Sequence, residues 1–154
     1  MDDRAIVERQ LGRTPRAFRR VAVRCPFGLP AVTEQAPFDA RGTPFPTQFW
    51  LTCPHLSAAL ARIEAAGGVE RWSTAAAVDH TLADSLRRAN EEQRALRPEL
   101  PTGVGGASRG GSLKCLHAHG AFALARPGYV IGDLILADAA PLWPRTSCCT
   151  AASL

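Results

Sequence analysis

Six prolines fall between residues 26 and 54 (Pro26, Pro30, Pro37, Pro44, Pro46 and Pro54), half of the 12 in the chain. Each removes a backbone N–H donor and steers the residue before it away from helical angles, so this stretch cannot form a long helix and predicts strands joined by turns. The flanking pattern agrees. From Phe18 to Cys25 the chain alternates, with Val21, Val23 and Cys25 on one face and Arg20, Ala22 and Arg24 on the other. Ala31 to Ala36 is expected as a second strand. Thr47 to Cys53 is expected as a third, with Phe49, Leu51 and Cys53 opposite Gln48, Trp50 and Thr52.

Helical spacing dominates elsewhere. Asp2 to Leu11 predicts a short amphipathic helix stopped by Gly12. Pro54 suits the first turn of a helix carrying Leu56, Ala59, Leu60 and Ile63, which Gly67-Gly68 ends. One long helix is expected from about Ser73 to Leu96, striped by Val78, Leu82, Leu86 and Ala89 and stopped by Pro98. A further helix is expected from Leu113 to Ala125. The fold class that follows is α+β: a small antiparallel sheet of about three strands from the first third, covered by about three to four helices. At 154 residues, 46% of them hydrophobic, the chain can bury roughly 70% of its unfolded surface. Residues 1–140 read as a single globular domain and 141–154 as a loose C-terminal tail. No window holds eighteen uninterrupted apolar residues, and the opening Met-Asp-Asp-Arg-Ala has no apolar run, so no membrane span and a cytoplasmic location are expected.

Chemistry is carried first by cysteine. The five cysteines, Cys25, Cys53, Cys115, Cys148 and Cys149, are odd in number and contain no C-x-x-C spacing, which argues against an oxidised secreted framework. Cys25 and Cys53 each end a predicted strand before a proline. Lys114-Cys115-Leu116-His117-Ala118-His119 opens the last predicted helix, where Cys115 and His119, four apart, would share a face and His117 would point away. Should that face meet the strand ends, Cys25, Cys53, Cys115 and His119 form a closed Cys3His set for zinc. The same thiols also fit a core of small buried hydrophobes, an iron–sulfur site, or a nucleophilic Cys115 with a nearby His. Cys148 and Cys149, in a Ser/Thr/Ala tail, read as incidental.

A second feature is the loop Thr102 to Ser112, with five glycines. It matches neither a Walker loop nor G-x-G-x-x-G, yet its backbone N–H groups before a helix, with Arg109 and Lys114 beside it, suit an anion as well as a plain connector. Seven arginines among the first 24 residues make that end basic, which favours phosphate-bearing partners or simply gives a solvated face.

Leu11-Gly12-Arg13, Arg24-Cys25-Pro26 with Gly28 and Pro30, Thr43-Pro44-Phe45-Pro46-Thr47, Trp50-Leu51-Thr52-Cys53-Pro54, Arg62-Ile63-Glu64 and Lys114 to His119 resemble, in order and spacing, the actinobacterial family called domain of unknown function 501. The resemblance spans about residues 10–125, and the region from Arg126 onward departs from it. It implies a small cytosolic bacterial protein, linked by gene association to cell division or phosphate metabolism, and no defined activity.

The functional expectation is a metal-stabilised binding module for an anionic partner, with Cys25, Cys53, Cys115 and His119 as zinc ligands and Arg109 and Lys114 meeting the anion. The alternatives are an enzyme acting on a phosphorylated or polyanionic substrate through Cys115 and a nearby His, and an iron–sulfur protein.

Overall fold

The computed structural model describes residues 1–108 and 113–153. The elements run α1 (Asp3–Leu11), β1 (Phe18–Arg24), β2 (Pro30–Gln35), β3 (Phe49–Leu51), α2 (Pro54–Ala65), α3 (Gly68–Val78), α4 (His80–Leu96), α5 (Leu116–Ala125) and α6 (Val130–Ala139). The proline-rich third forms the expected antiparallel sheet, ordered β1-β2-β3. In the β2–β3 ladder Val32 faces Leu51 and Glu34 faces Phe49, while the β1–β2 register is broken by irregularities between Phe18 and Arg24. Those breaks undo the simple alternation read from β1. Val21, Ala22 and Val23 are all only half-buried.

Local signals set most boundaries. Asp2 caps α1 through the Ala5 N–H at 2.8 Å, and Gly12 ends it in the left-handed region at φ 68. The long helix expected from Ser73 to Leu96 is two helices. Asp79 is extended at φ −113 and ψ 117 and caps α4 through the Leu82 N–H, so its carboxylate competes with helix continuation and wins. The last predicted helix starts at Leu116, three residues later than expected, and α6 adds a helix that the sequence pattern did not separate.

The core lies between the sheet and α2, α5 and α6. Leu56 and Leu60 of α2, Leu116 and Phe122 of α5, and Ile131 and Ile135 of α6 are essentially solvent-free, each such side chain contributing roughly 1.5–3 kcal/mol. Phe122 meets Phe49 and Tyr129 edge-on, with ring centroids 5.8 and 5.6 Å apart. Gly132 permits the close approach of α5 and α6, since a Cβ there would lie 2.6 Å from that of Ala123. α5 is buried almost all round, whereas α6 buries one face and turns Asp133 and Asp138 to solvent, where Asp138 pairs with Arg71. Among the described residues no single helix is long and apolar enough to cross a membrane.

Beneath the sheet edge, Arg97 is 1% exposed and donates to the carbonyls of Gln35, Phe45 and Pro46 at 3.2, 2.9 and 2.8 Å. Burial, then Arg19, presses its pKa below the usual value. A guanidinium keeps its charge even so. The tail does not hang free. Cys148 and Thr150 are buried, and Gln10 Nε2 donates to Thr150 Oγ1 at 3.1 Å.

Candidate metal centre

The site forms where α2 ends and α5 begins. Cys115 is the residue before α5, extended at φ −152 and ψ 122. A residue outside the helix does not obey the 100° rule, so Cys115 and His119 do not pair as their spacing predicts. Cys115 instead turns to His117, with Sγ 3.7 Å from Nδ1. Glu64, near the C-terminus of α2, completes the group. Its Oε1 lies 3.1 Å from His117 Nδ1, and its Oε2 accepts the Leu116 N–H at 2.8 Å.

Glu64, Cys115 and His117 each offer a ligand atom within 4.8 Å of the others. In a tetrahedral zinc site, sulfur and nitrogen ligands stand about 3.6 Å apart and nitrogen and oxygen about 3.4 Å. The observed sulfur–nitrogen distance of 3.7 Å lies near the first value, while the nitrogen–oxygen distance of 3.1 Å is that of a hydrogen-bonded pair and would open slightly around an ion. His117 Nε2 lies 2.9 Å from the Ser57 carbonyl, which can only accept, so Nε2 carries its hydrogen and Nδ1 is the nitrogen turned to the centre. A backbone carbonyl on the far nitrogen is the usual way a metal-binding histidine is oriented. With no metal bound, Cys115 is the chief cause of a raised His117 pKa, which reaches about 9 with help from the Ser57 carbonyl and Glu64 and against the cost of burial.

Cys115 and His117 also form part of the wall of a cavity of about 270 Å³, together with Thr47, Phe49, Trp50 and Ser57. The group is only half-buried, with the His117 and Glu64 side chains 24% and 26% exposed. A ligand therefore has access from the cavity side.

The expected Cys3His set does not assemble. Among the described residues, the Glu64 group is the one set of three or more metal-binding side chains within such reach. His119 is 1% exposed and its Nδ1 is taken by the Tyr129 hydroxyl at 2.7 Å, while burial lowers its pKa to about 4. Cys53 faces the tail, with Sγ 4.0 Å from that of Cys149, and burial pushes its thiol up to about 11. Cys25 is the hydrogen-bonding neighbour of Cys148. The two strand-end cysteines thus meet the two tail cysteines, because the tail folds back onto the ends of the strands. Lys114 reaches the Gly106 carbonyl at 3.5 Å, and Arg109 lies outside the described residues. Glu64 and His117 were missed because Glu64 lies 51 residues from Cys115 in sequence, and because Cys115, extended ahead of the helix, turns to the His117 side instead of the His119 side. The pairing of Glu64 with a helix start offered no spacing signal.

The chain shares one sequence family. No curated protein and no solved structure matches it. The family match covers Glu64, Ser57 and the Thr47 to Leu51 wall of the cavity but ends before Cys115. That match, to the family described as protein of unknown function (DUF501), spans residues 21–102, more than half of the chain, and the chain belongs to this family.

Proposed function

We propose that Glu64, Cys115 and His117 bind a zinc ion with a fourth position open to the cavity, and that the protein acts on a small anionic ligand there. The observation that carries this reading is the spacing of the three ligand atoms, together with the Ser57 carbonyl on the far nitrogen of His117. Three protein ligands and one open position is the arrangement of catalytic zinc, which lowers the pKa of a bound water and polarises a substrate oxygen. A closed four-ligand set would argue for a structural ion instead. The centre holds a single sulfur, where iron–sulfur clusters use several. Protein purified without chelator should carry about one zinc per chain by mass spectrometry of the metal, and His117→Ala should lose it. Wild-type protein that stays metal-free in zinc-supplemented medium, and fails to take up zinc in titration, would overturn the reading.

A second reading rests on the 3.7 Å contact between Cys115 Sγ and His117 Nδ1. Without metal, this is the geometry of a cysteine nucleophile beside a charged imidazole, with the ring oriented by the Ser57 carbonyl. Rapid alkylation of Cys115 in metal-free protein, slowed strongly in His117→Ala, would favour this alternative. Protection of Cys115 by zinc favours the first.

A further inference from the structure

The four cysteines that do not join Glu64 and His117 form a cluster of their own, where the C-terminal tail folds back on the strand ends. Cys148 neighbours Cys25, and Cys149 Sγ lies 4.0 Å from Cys53 Sγ. Of these four, Cys25, Cys53 and Cys148 are buried and Cys149 is exposed. Cys148 is also engaged by the Thr150 N–H, which donates to its sulfur at 3.4 Å. The tail is braced on both sides of the cluster. Gln10 Nε2 donates to the Pro30 carbonyl at 2.8 Å and to Thr150 Oγ1 at 3.1 Å, and His55 Nε2, two residues beyond Cys53, donates to the Pro141 carbonyl at 3.1 Å.

Two sulfurs 4.0 Å apart leave no room for an intervening atom, and a disulfide at about 2.05 Å asks them to close by roughly 2 Å. Cys149 lies in a turn outside every helix and strand, so side-chain rotation and a small backbone shift supply that distance without disturbing the core. Cys148 is also a neighbour of Cys149, yet a ring closed through one peptide bond strains the planar trans unit.

We propose that Cys149 is a site of oxidative modification by small-molecule disulfides and that Cys53 is its resolving partner. The Cys149 thiolate attacks one sulfur of the small disulfide, breaks its S–S bond and releases one small thiolate, leaving a mixed disulfide on Cys149. The Cys53 thiolate then attacks Cys149 Sγ, forms the Cys53–Cys149 bond and expels the second small thiolate. The two protein thiol protons end on the two released thiols, so the small disulfide gains two electrons and the protein pair loses two. The product is a strap from the tail to the start of α2. Burial opposes the Cys53 thiolate, but the Leu56 and His55 N–H groups in the first turn of α2 favour it, and the opposing charge of Cys149 is gone once that residue carries the mixed disulfide. Reopening the strap requires attack on the exposed Cys149 sulfur and departure of Cys53, whose tightly held proton marks a poor leaving group. None of this depends on the metal centre.

The test uses the full chain carrying Cys115→Ser, which removes the one thiol outside the cluster. Incubation with oxidised glutathione, then alkylation in denaturant and mass spectrometry, should show a chain that has lost two hydrogens and accepts two alkyl groups instead of four, with a peptide linking Cys53 to Cys149. In this background Cys53→Ser should stop with glutathione on Cys149, and Cys25→Ser should still close the bond. Cys149→Ser, at an exposed position where the fold survives, should gain neither bond nor adduct. The oxidised chain should also melt roughly 10 °C above the reduced one, because the bond ties residues 96 apart in the unfolded state. That rise should be absent in Cys149→Ser. A bond between Cys148 and Cys149 or between Cys25 and Cys148 would overturn the proposal, as would glutathione that stays on Cys149 while Cys53 remains reduced, or four free thiols after incubation.

Discussion

Glu64 accepts the first N–H of α5 from Leu116 at 2.8 Å with one carboxylate oxygen and faces His117 with the other. One side chain thus caps a helix and completes the proposed metal centre, and the two roles separate under substitution. Glu64→Gln keeps an oxygen for the cap but loses the charge, so unfolding stability should change by less than about 1 kcal/mol while zinc affinity falls roughly tenfold or more. Glu64→Ala should lose the cap as well and cost about 1–2 kcal/mol. Urea unfolding and competition with a zinc-binding dye measure the two effects. Equal stability losses in both variants would mean that the carboxylate charge, not the cap, supports the α2–α5 junction.

Arg97 should be among the most sensitive positions in the fold. Its guanidinium satisfies carbonyls of Gln35, Phe45 and Pro46 from inside the protein. Arg97→Met fills similar space yet leaves all three without their donor, a loss of about 3 kcal/mol or more. Arg97→Lys should recover little, because one ammonium cannot reproduce a planar fork. The urea midpoint at constant slope measures this. A loss below about 1 kcal/mol in Arg97→Met would show that water reaches those carbonyls.

The sheet was legible because proline acts locally: the six prolines of residues 26–54 exclude helix whatever the rest of the chain does. Helix faces were legible for the same reason, in the period of Leu56, Leu60 and their neighbours. Asp79 was harder, since a carboxylate in a helical stripe signals a cap only once the chain is known to turn there. The centre was half legible. Cys115 stood out by type, but its partners depended on one backbone conformation at the start of α5 and on the approach of α2, and no periodicity encodes either. The tail cysteines looked incidental because long-range contacts such as Cys53 with Cys149 leave no trace in spacing.

His119 and Tyr129 form a buried pair whose protonation cost should appear in stability. Burial lowers the His119 pKa to about 4 in the folded chain, against 6.5 for a free imidazole. Between these values the unfolded chain binds more protons than the folded one, so stability falls as pH drops from 6.5 toward 4 and this contribution levels off below. The full effect is on the order of 3 kcal/mol. His119→Phe removes the titrating group, and its stability should decline less over that window than the parent's. Parallel unfolding curves at pH 7, 6, 5 and 4 decide it, and identical slopes for parent and variant would sink the assignment.

The cysteines offer the sharpest separation between the ligand set read from spacing and the one the fold assembles. If Cys25, Cys53 and Cys115 shared one ion, Cys25→Ser, Cys53→Ser and Cys115→Ser would all lower zinc content together. In the fold Cys25 neighbours Cys148 and Cys53 faces Cys149, while Cys115 alone belongs with Glu64 and His117. Only Cys115→Ser should therefore lose the metal. Cys25→Ser and Cys53→Ser should keep about one zinc per chain and instead lose about 1–2 kcal/mol of stability, because each places a hydroxyl in a buried thiol site. Metal content and urea midpoints on the same three preparations measure both quantities. Zinc loss in Cys25→Ser or Cys53→Ser with an unchanged midpoint would return those sulfurs to the coordination shell and displace Glu64 from it.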